Sequence, residues 1–445
     1  MLNDFFNHEM TLFIYSIKIL FLKSNGYSYF YIMKGKAKFY VILILGMLSA
    51  IGPFSIDMYL PGFPDIAKGL NTTVAHVALS LSSFFIGISF GQLIYGPLLD
   101  RFGRKKPLYF GVSLYLLASV GCAMATSVNA LIAMRLIQAL GGCAGMVAAR
   151  ALVRDIFPVE ENAKIFSQLM LVIGVSPLIA PTLGGYVTAL VGWQYIFIIL
   201  AVMSAFMLVA LHFFLPEGRQ PDTAISLKPM EIGRNFLVVL KEPQFYTYVL
   251  TGSMAAAGLY AYIAGSPYVF MNIFKVSEKQ YGWIFALAAM GLIASSQLNS
   301  VLLQKFKSEQ IIKVALTCQF ITGILLVTGT VMNLLELFST IILIVIFLCC
   351  QGFIFPNSSA LSMAPFTRNA GSASAAMGCI QMGIGTLSSA MVSMLSNGTA
   401  LPMAAVMAGC SGMALMALLT GSKKISYRAS VELVEEESAE MISTS

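Results

Sequence analysis

The sequence predicts an all-α protein that crosses a lipid bilayer twelve times, in two related six-helix halves. Three observations carry that expectation. Of the 445 residues, 58% are hydrophobic and 11% charged, and the mean hydropathy is +0.82. A water-soluble chain of this size could not hide so much apolar surface. Runs of about twenty mainly apolar residues recur along the chain, the length a helix needs to cross hydrocarbon. The longest polar connection, 216–243, divides these runs six and six.

Taken in order, the expected spans are 39–63, 76–99, 107–127, 129–152, 163–190 and 194–215, then 244–271, 280–303, 311–333, 336–361, 370–396 and 401–421. They give an N-terminal extension (1–38), a first half (39–215), a linker (216–243), a second half (244–421) and an acidic tail (422–445). The tail, ending VELVEEESAEMISTS, is polar enough to be expected disordered. In the extension, MTLFIYSIKILFL is too short to span and is interrupted by Lys18. It reads either as an interfacial helix or as sequence upstream of a true start at Met33.

Charge placement sets the expected direction. If the first span starts in the cytoplasm, the inward connections hold eighteen Lys and Arg, from Arg101 to Arg428, and the outward ones only Lys68, Lys275 and Lys279. The positive-inside rule then puts both termini in the cytoplasm. It also accounts for the net charge of +7 without a nucleic-acid partner. The seven cysteines lie mostly in apolar runs with no metal-ligand spacing, so no metal site is expected. No glycine-rich loop ending in Gly-Lys-Ser/Thr and no His-Glu-x-x-His is present, which argues against an ATP-driven pump or a zinc protease.

Within the spans only Asp57, in SIDMYLP, and Arg135 are ionisable and deep. Each lies six residues from the expected outer end of its span, about 9 Å below that boundary. An isolated charge in hydrocarbon costs several kcal/mol unless it is paired, hydrated or neutralised. Two readings follow. The two groups form a fixed ion pair clamping spans one and four, or Asp57 sits in a hydrated cavity and switches protonation, with Arg135 lowering and desolvation raising its proton affinity.

The loop GPLLDRFGRKK (96–106) combines turn-forming Gly96 and Gly103 with Asp100 and a basic run including Arg101 and Arg104. Asp100 stands level with the start of span eleven near Gly371 and Ser372, whose helix terminus favours an anion. Leu98–Phe102 aligns without a gap to Leu302–Phe306 after span eight, which points to duplication. In that copy Gln304 replaces Asp100 and Lys307 replaces Gly103. In span five, Pro177 and Pro181 remove backbone donors, while Gly174, Gly184 and Gly185 permit close helix contact. Tyr260, Tyr262, Ser266 and Tyr268 occupy the place in span seven that SIDMYLP, with Tyr59, occupies in span one. Gln138, Gln351 and Gln381 are deep amides that serve either helix–helix hydrogen bonds or a substrate cavity.

GPLLDRFGRKK resembles the loop signature of the major facilitator superfamily, RLIQALGGCAG (135–145) its fourth-helix signature, and GVSPLIAPTLGG (174–185) its antiporter pattern. SIDMYLPGFPDIA and ARALVRDIFP further resemble the Bcr/CflA type of drug/proton antiporter. The resemblance runs from about Met33 to Leu419. It implies a non-enzymatic, multi-pass protein of the inner (plasma) membrane, built as two halves that give alternating access. It implies a monomer exporting small amphipathic drugs against protons, with the proton gradient and no cofactor as energy source; a dedicated transporter of one metabolite, such as a siderophore or sugar derivative, is the other reading. It assigns proton coupling to Asp57 and Arg135 and a conformational latch to Gly96, Asp100, Arg101, Gly103 and Arg104 with Arg150 and Arg154.

Overall fold

The computed structural model describes residues 36–157, 159–216, 218, 221, 237, 239–366 and 370–443. The extension through residue 35 and most of the 216–243 linker lie outside them. Twelve long helices occupy the described residues: α1 (Lys36–Asp57), α2 (Val74–Phe102), α3 (Lys105–Ala123), α4 (Val128–Ile156), α5 (Val159–Val191), α6 (Gln194–Phe214), α7 (Pro243–Pro267), α8 (Glu278–Leu302), α9 (Ser308–Val331), α10 (Leu337–Met363), α11 (Ala370–Met394) and α12 (Leu401–Ser443). Eleven are long and apolar enough to cross a membrane. The exception is α7, which carries Thr247, Thr251, Ser253, Ser266 and several tyrosines. It packs against α10, α11 and α12 and is buried along most of its length, so neighbouring helices rather than lipid solvate its polar groups.

Local chemistry sets the ends. Thr73 and Ser127 accept hydrogen bonds from the backbone N–H of His76 and Ala130, capping α2 and α4. Ser277 and Gln280 form a reciprocal capping box at α8. Gly103 separates α2 from α3 at φ 81° and ψ 170°, a conformation open only to glycine. Gly103→Ala is therefore expected to cost about 1–3 kcal/mol, read as a lower melting temperature in detergent; an unchanged melting temperature would show that the loop relaxes.

The first span does not run straight to Phe63. Its helix ends at Asp57, followed by a 3₁₀ turn (Leu60–Gly62) and a short helix (Phe63–Gly69), because Pro61 and Pro64 cannot continue an α-helical ladder. Its counterpart α7 ends likewise at Pro267 and passes into a π-helical turn, Tyr268–Ile273. The tail also differs from expectation, since α12 continues as helix through Ser443. No proline or glycine follows Gly421, and the Glu, Ala, Leu and Met there are good helix formers extending an existing helix.

Packing repeats from one half to the other. In the first, α4 touches α1, α2 and α3, α1 touches α5, and α3 touches α6. In the second, α10 touches α7, α8 and α9, α7 touches α11, and α9 touches α12. The halves meet through α2 against α11 and α5 against α8, pairs that exchange under the same two-fold relation.

The junction is tightest at the end of the bundle away from Arg101–Lys106. There Ser82 and Ser389 hydroxyls lie 2.9 Å apart, and Phe85 meets the Tyr260 ring edge-on at 4.8 Å. Deeper in, the Ser89 hydroxyl donates to the Cys379 carbonyl at 3.1 Å. A Cβ on Gly185 would strike the Glu278 carbonyl, and one on Gly282 the Pro181 carbonyl. Towards the basic face the contact loosens: a Cβ on Gly96 would meet nothing within 4 Å, and one on Gly174 only Ile293 at 4.0 Å.

Candidate functional site: a buried carboxyl between the halves

Asp57 is the last residue of α1 and is 5% exposed. Ending a helix leaves its final carbonyls without intrahelical partners and concentrates negative dipole there. Asp57 sits at such an end, just before the turn that Pro61 opens.

Of the two readings of Asp57 and Arg135, the fixed ion pair is not formed among the described residues. Arg135 is fully buried and donates from one terminal nitrogen to Gln138 Oε1 (2.6 Å) and from the other to the Ser55 carbonyl (2.9 Å). Its guanidinium carbon lies 4.1 Å from the Phe84 ring centroid and 4.7 Å from that of Tyr59. Ser55 and Asp57 are two residues apart, about 200° around a helix. With the Ser55 hydroxyl on Tyr115 of α3, Asp57 occupies a different face of α1. Equal depth gave the height of the two groups and not their azimuth.

A polar network consolidates the first half around Arg135. Gln138 Nε2 donates to Ser119 Oγ (2.7 Å), Ser55 and Tyr115 hydroxyls lie 2.6 Å apart, and Tyr59 and Ser80 hydroxyls also 2.6 Å. Arg135 Nε alone in this group has no partner. Tyr59 and Gln138 are thus buried and hydrogen-bonded to neighbouring helices. Gln351 is placed similarly, accepting from Gln319 Nε2 at 3.4 Å, so the α4–α3 and α10–α9 amide links correspond across the halves.

The remaining cavity candidates do not converge on one pocket. Gln381 borders a space of about 10 Å³ with Tyr248, Ser253 and Ser358, room for one water at most. Tyr268 lines a surface cleft of about 490 Å³ with Thr73, His76 and Ser393 on the face away from the basic loop. Tyr260 packs on Phe85 at the interface, its hydroxyl directed at Met382 Sδ, 3.7 Å away. Tyr262 stacks on Phe285 (5.6 Å), and Ser266 pairs with the Tyr281 hydroxyl at 2.8 Å. Tyr262 and Tyr281 lie within electrostatic range of Asp57. The sequence set Tyr262 in the segment of α7 that corresponds to SIDMYLP in α1 and gave no signal for Tyr281.

At the basic face Arg104 is 5% exposed and bridges Asp100 (2.6 Å) and Asp155 (2.6 Å). Burial works against its charge, but hydrogen bonds to Asp155 and Asp100 outweigh this and hold the guanidinium above its ordinary range. Asp100 is thus held by Arg104 of its own half, while the side chains at Gly371 and Ser372, its expected docking point, lie outside the described residues. Arg150 and Arg154, assigned to the latch, are exposed and form no ion pair among the described residues. Asp155 is the second acid that holds Arg104. It adjoins Arg154 in the quoted ARALVRDIFP, where its opposite sign to the surrounding bases was the available clue. Gln304 and Lys307 form no corresponding ion pair among the described residues.

Gly184 brings α5 onto the end of α1. A Cβ there would collide with the carbonyl and Cα of Met58, adjacent to Asp57, and backbone cannot swing aside. Gly184→Ala is expected to cut transport at least tenfold with membrane abundance preserved, as measured by efflux per unit of inserted protein. Wild-type flux would show that this approach is dispensable. The run Gly87–Gly91 satisfies Gly-x-Ser-x-Gly, but it lies mid-helix in α2 with Ser89 bonded to Cys379, not on the strand-to-helix turn that exposes a hydrolase nucleophile.

The Major Facilitator Superfamily model matches residues 43–390. The bicyclomycin resistance protein homolog of Haemophilus influenzae is 31% identical over 382 residues, covering 86% of this chain and 96% of that protein. The multidrug resistance protein MdtL of Escherichia coli is 30% identical over 332 residues, covering 74% and 82%. Among solved structures, a bacterial homolog of the human lysosomal transporter Spinster, inward-facing and occupied, has a similar fold, with TM-score 0.68, 15% identity, and 88% and 98% coverage. The chain belongs to the major facilitator superfamily of membrane transporters.

Proposed function

We propose that this protein is a monomeric drug/proton antiporter of the bacterial inner membrane, exporting small amphipathic drugs by alternating access, with both termini in the cytoplasm. The single observation that carries the reading is Asp57: a buried carboxyl at a helix break, not bonded to Arg135. A fixed structural acid would be expected to hold a cation or a full set of donors. A carboxyl without them is suited to taking up and releasing a proton as its surroundings change. The basic loop, assigned to the cytoplasmic side by charge, lies at the end where the α2 and α5 contacts open, so drug enters from that side. Rocking would then separate the Ser82–Ser389 and Gly185–Glu278 contacts and admit a proton from outside. The two drug-resistance relatives support drugs as the cargo.

The test is expression in a drug-hypersensitive bacterial host against a chemically diverse panel. Raised tolerance to several unrelated amphipathic compounds, lost on collapsing the proton gradient, is expected. Tolerance to one compound alone, or to none with efficient uptake of one metabolite, would overturn the broad-export reading.

A further inference from the structure

The loop between α8 and α9 is the second copy of the 96–106 segment, and it has lost the ion pair that closes the first. Where Asp100 and Arg104 bond at 2.6 Å, the aligned residues are Gln304 and Ser308, neither of them charged. The copy keeps two cations, Lys305 and Lys307. Both are exposed, and neither forms an ion pair among the described residues. They border a surface cleft of about 590 Å³, lined also by Leu303, Phe306, Glu309 and Leu361 of α10. Glu309 is the one acid on that lining, and it already accepts from the Tyr248 hydroxyl of α7 at 3.1 Å. Two lysines without a protein anion therefore stand at one cleft.

The surface beside the cleft is apolar. Leu303 and Phe306 are 43% and 52% exposed, and Leu298 and Val301 in the last turns of α8 are exposed as well. On a helix that spans a bilayer, such side chains meet acyl chains. Aromatic and basic residues side by side at the end of a span mark the headgroup level, where a lysine stem lies along hydrocarbon and its ammonium reaches the polar layer. A small soluble anion would use the lysines alone. A phospholipid uses both surfaces at once, its phosphate at the ammonium groups and its chains along Phe306, Val301 and Leu298.

We propose that the α8–α9 cleft binds the headgroup of an acidic phospholipid, held by Lys305 and Lys307, with the Phe306 ring against the upper part of an acyl chain. The site belongs to the second half alone, because in the first half Asp100 and Asp155 satisfy Arg104 from within the protein. It goes beyond the transport reading and needs only that the chain lies in a bilayer.

Binding is read locally by Phe306→Trp, an exposed position, with the emission of native Trp193 and Trp283 subtracted using the parent chain. The protein is reconstituted in phosphatidylcholine containing a minor share of brominated phosphatidylglycerol. Quenching is expected to report that lipid enriched about tenfold at the cleft over its share of the bilayer, as two lysines near an anionic headgroup supply. Adding Lys305→Gln and Lys307→Gln is expected to return quenching to the bulk share at an unchanged unfolding temperature. Quenching at the bulk share with both lysines present, or enrichment that survives their replacement, would overturn the proposal. Enrichment abolished by glycerol 1-phosphate would overturn it too, by showing that the cleft takes a free phosphoester and not a lipid. None of these readouts involves transport, so the export reading stands or falls separately.

Discussion

Asp57→Asn is expected to reduce drug-driven proton movement in everted vesicles to background while leaving insertion and unfolding temperature at wild-type values. Asparagine has nearly the shape of the aspartate and keeps a polar head, but it cannot change charge between pH 5 and 9. The α1 end would therefore never experience the alternation between a neutral and an anionic group that the cycle needs. The structural cost is small, because the helix end at Asp57 is dictated by Pro61 and Pro64 rather than by the carboxyl. Coupled proton movement that persists in the variant would eliminate Asp57 as the carrier. Loss of insertion instead would mean that the carboxyl serves the fold.

Arg135→Ala is expected to act through stability. It strips acceptors Gln138 Oε1 and the Ser55 carbonyl of their donor and removes the cation stacked at 4.1 Å from Phe84 and 4.7 Å from Tyr59. Two buried acceptors left unpaired and a lost desolvated cation–π contact together cost on the order of 3–5 kcal/mol. Detergent-solubilised protein should unfold at a clearly lower temperature. Arg135→Lys should recover little, because an ammonium cannot span both acceptors and stack on the rings at once. A wild-type melting temperature in Arg135→Ala would contradict the central position of this side chain in the first half.

The fold was legible because bilayer thickness imposes a length that recurs in composition. The expected spans 129–152, 163–190, 194–215 and 280–303 correspond to helices Val128–Ile156, Val159–Val191, Gln194–Phe214 and Glu278–Leu302. The site was legible in residue type and depth but not in azimuth. Asp57 and Arg135 are both buried, yet they do not bond to each other, and hydropathy reports no rotation about a helix axis that would foretell it. Gln138 and Gln351 read more readily as helix-pairing amides than as ligand contacts, and they bond Ser119 and Gln319 of the adjacent helices. Asp155 was overlooked because the segment's basic residues dominated its reading, although burying Arg104 requires more than one acid. The tail misled in another way, since low hydrophobicity predicts absence of a core and not absence of helix.

The central claim is that Asp57 meets water from each side of the membrane in turn. The most direct measurement is labelling of an Asp57→Cys variant, with the seven native cysteines replaced, by an impermeant thiol reagent applied to right-side-out and to everted vesicles. Reaction from both faces, each favoured in a different conformational state and each slowed by bound drug, is the predicted result. Failure to react from either face would contradict the account.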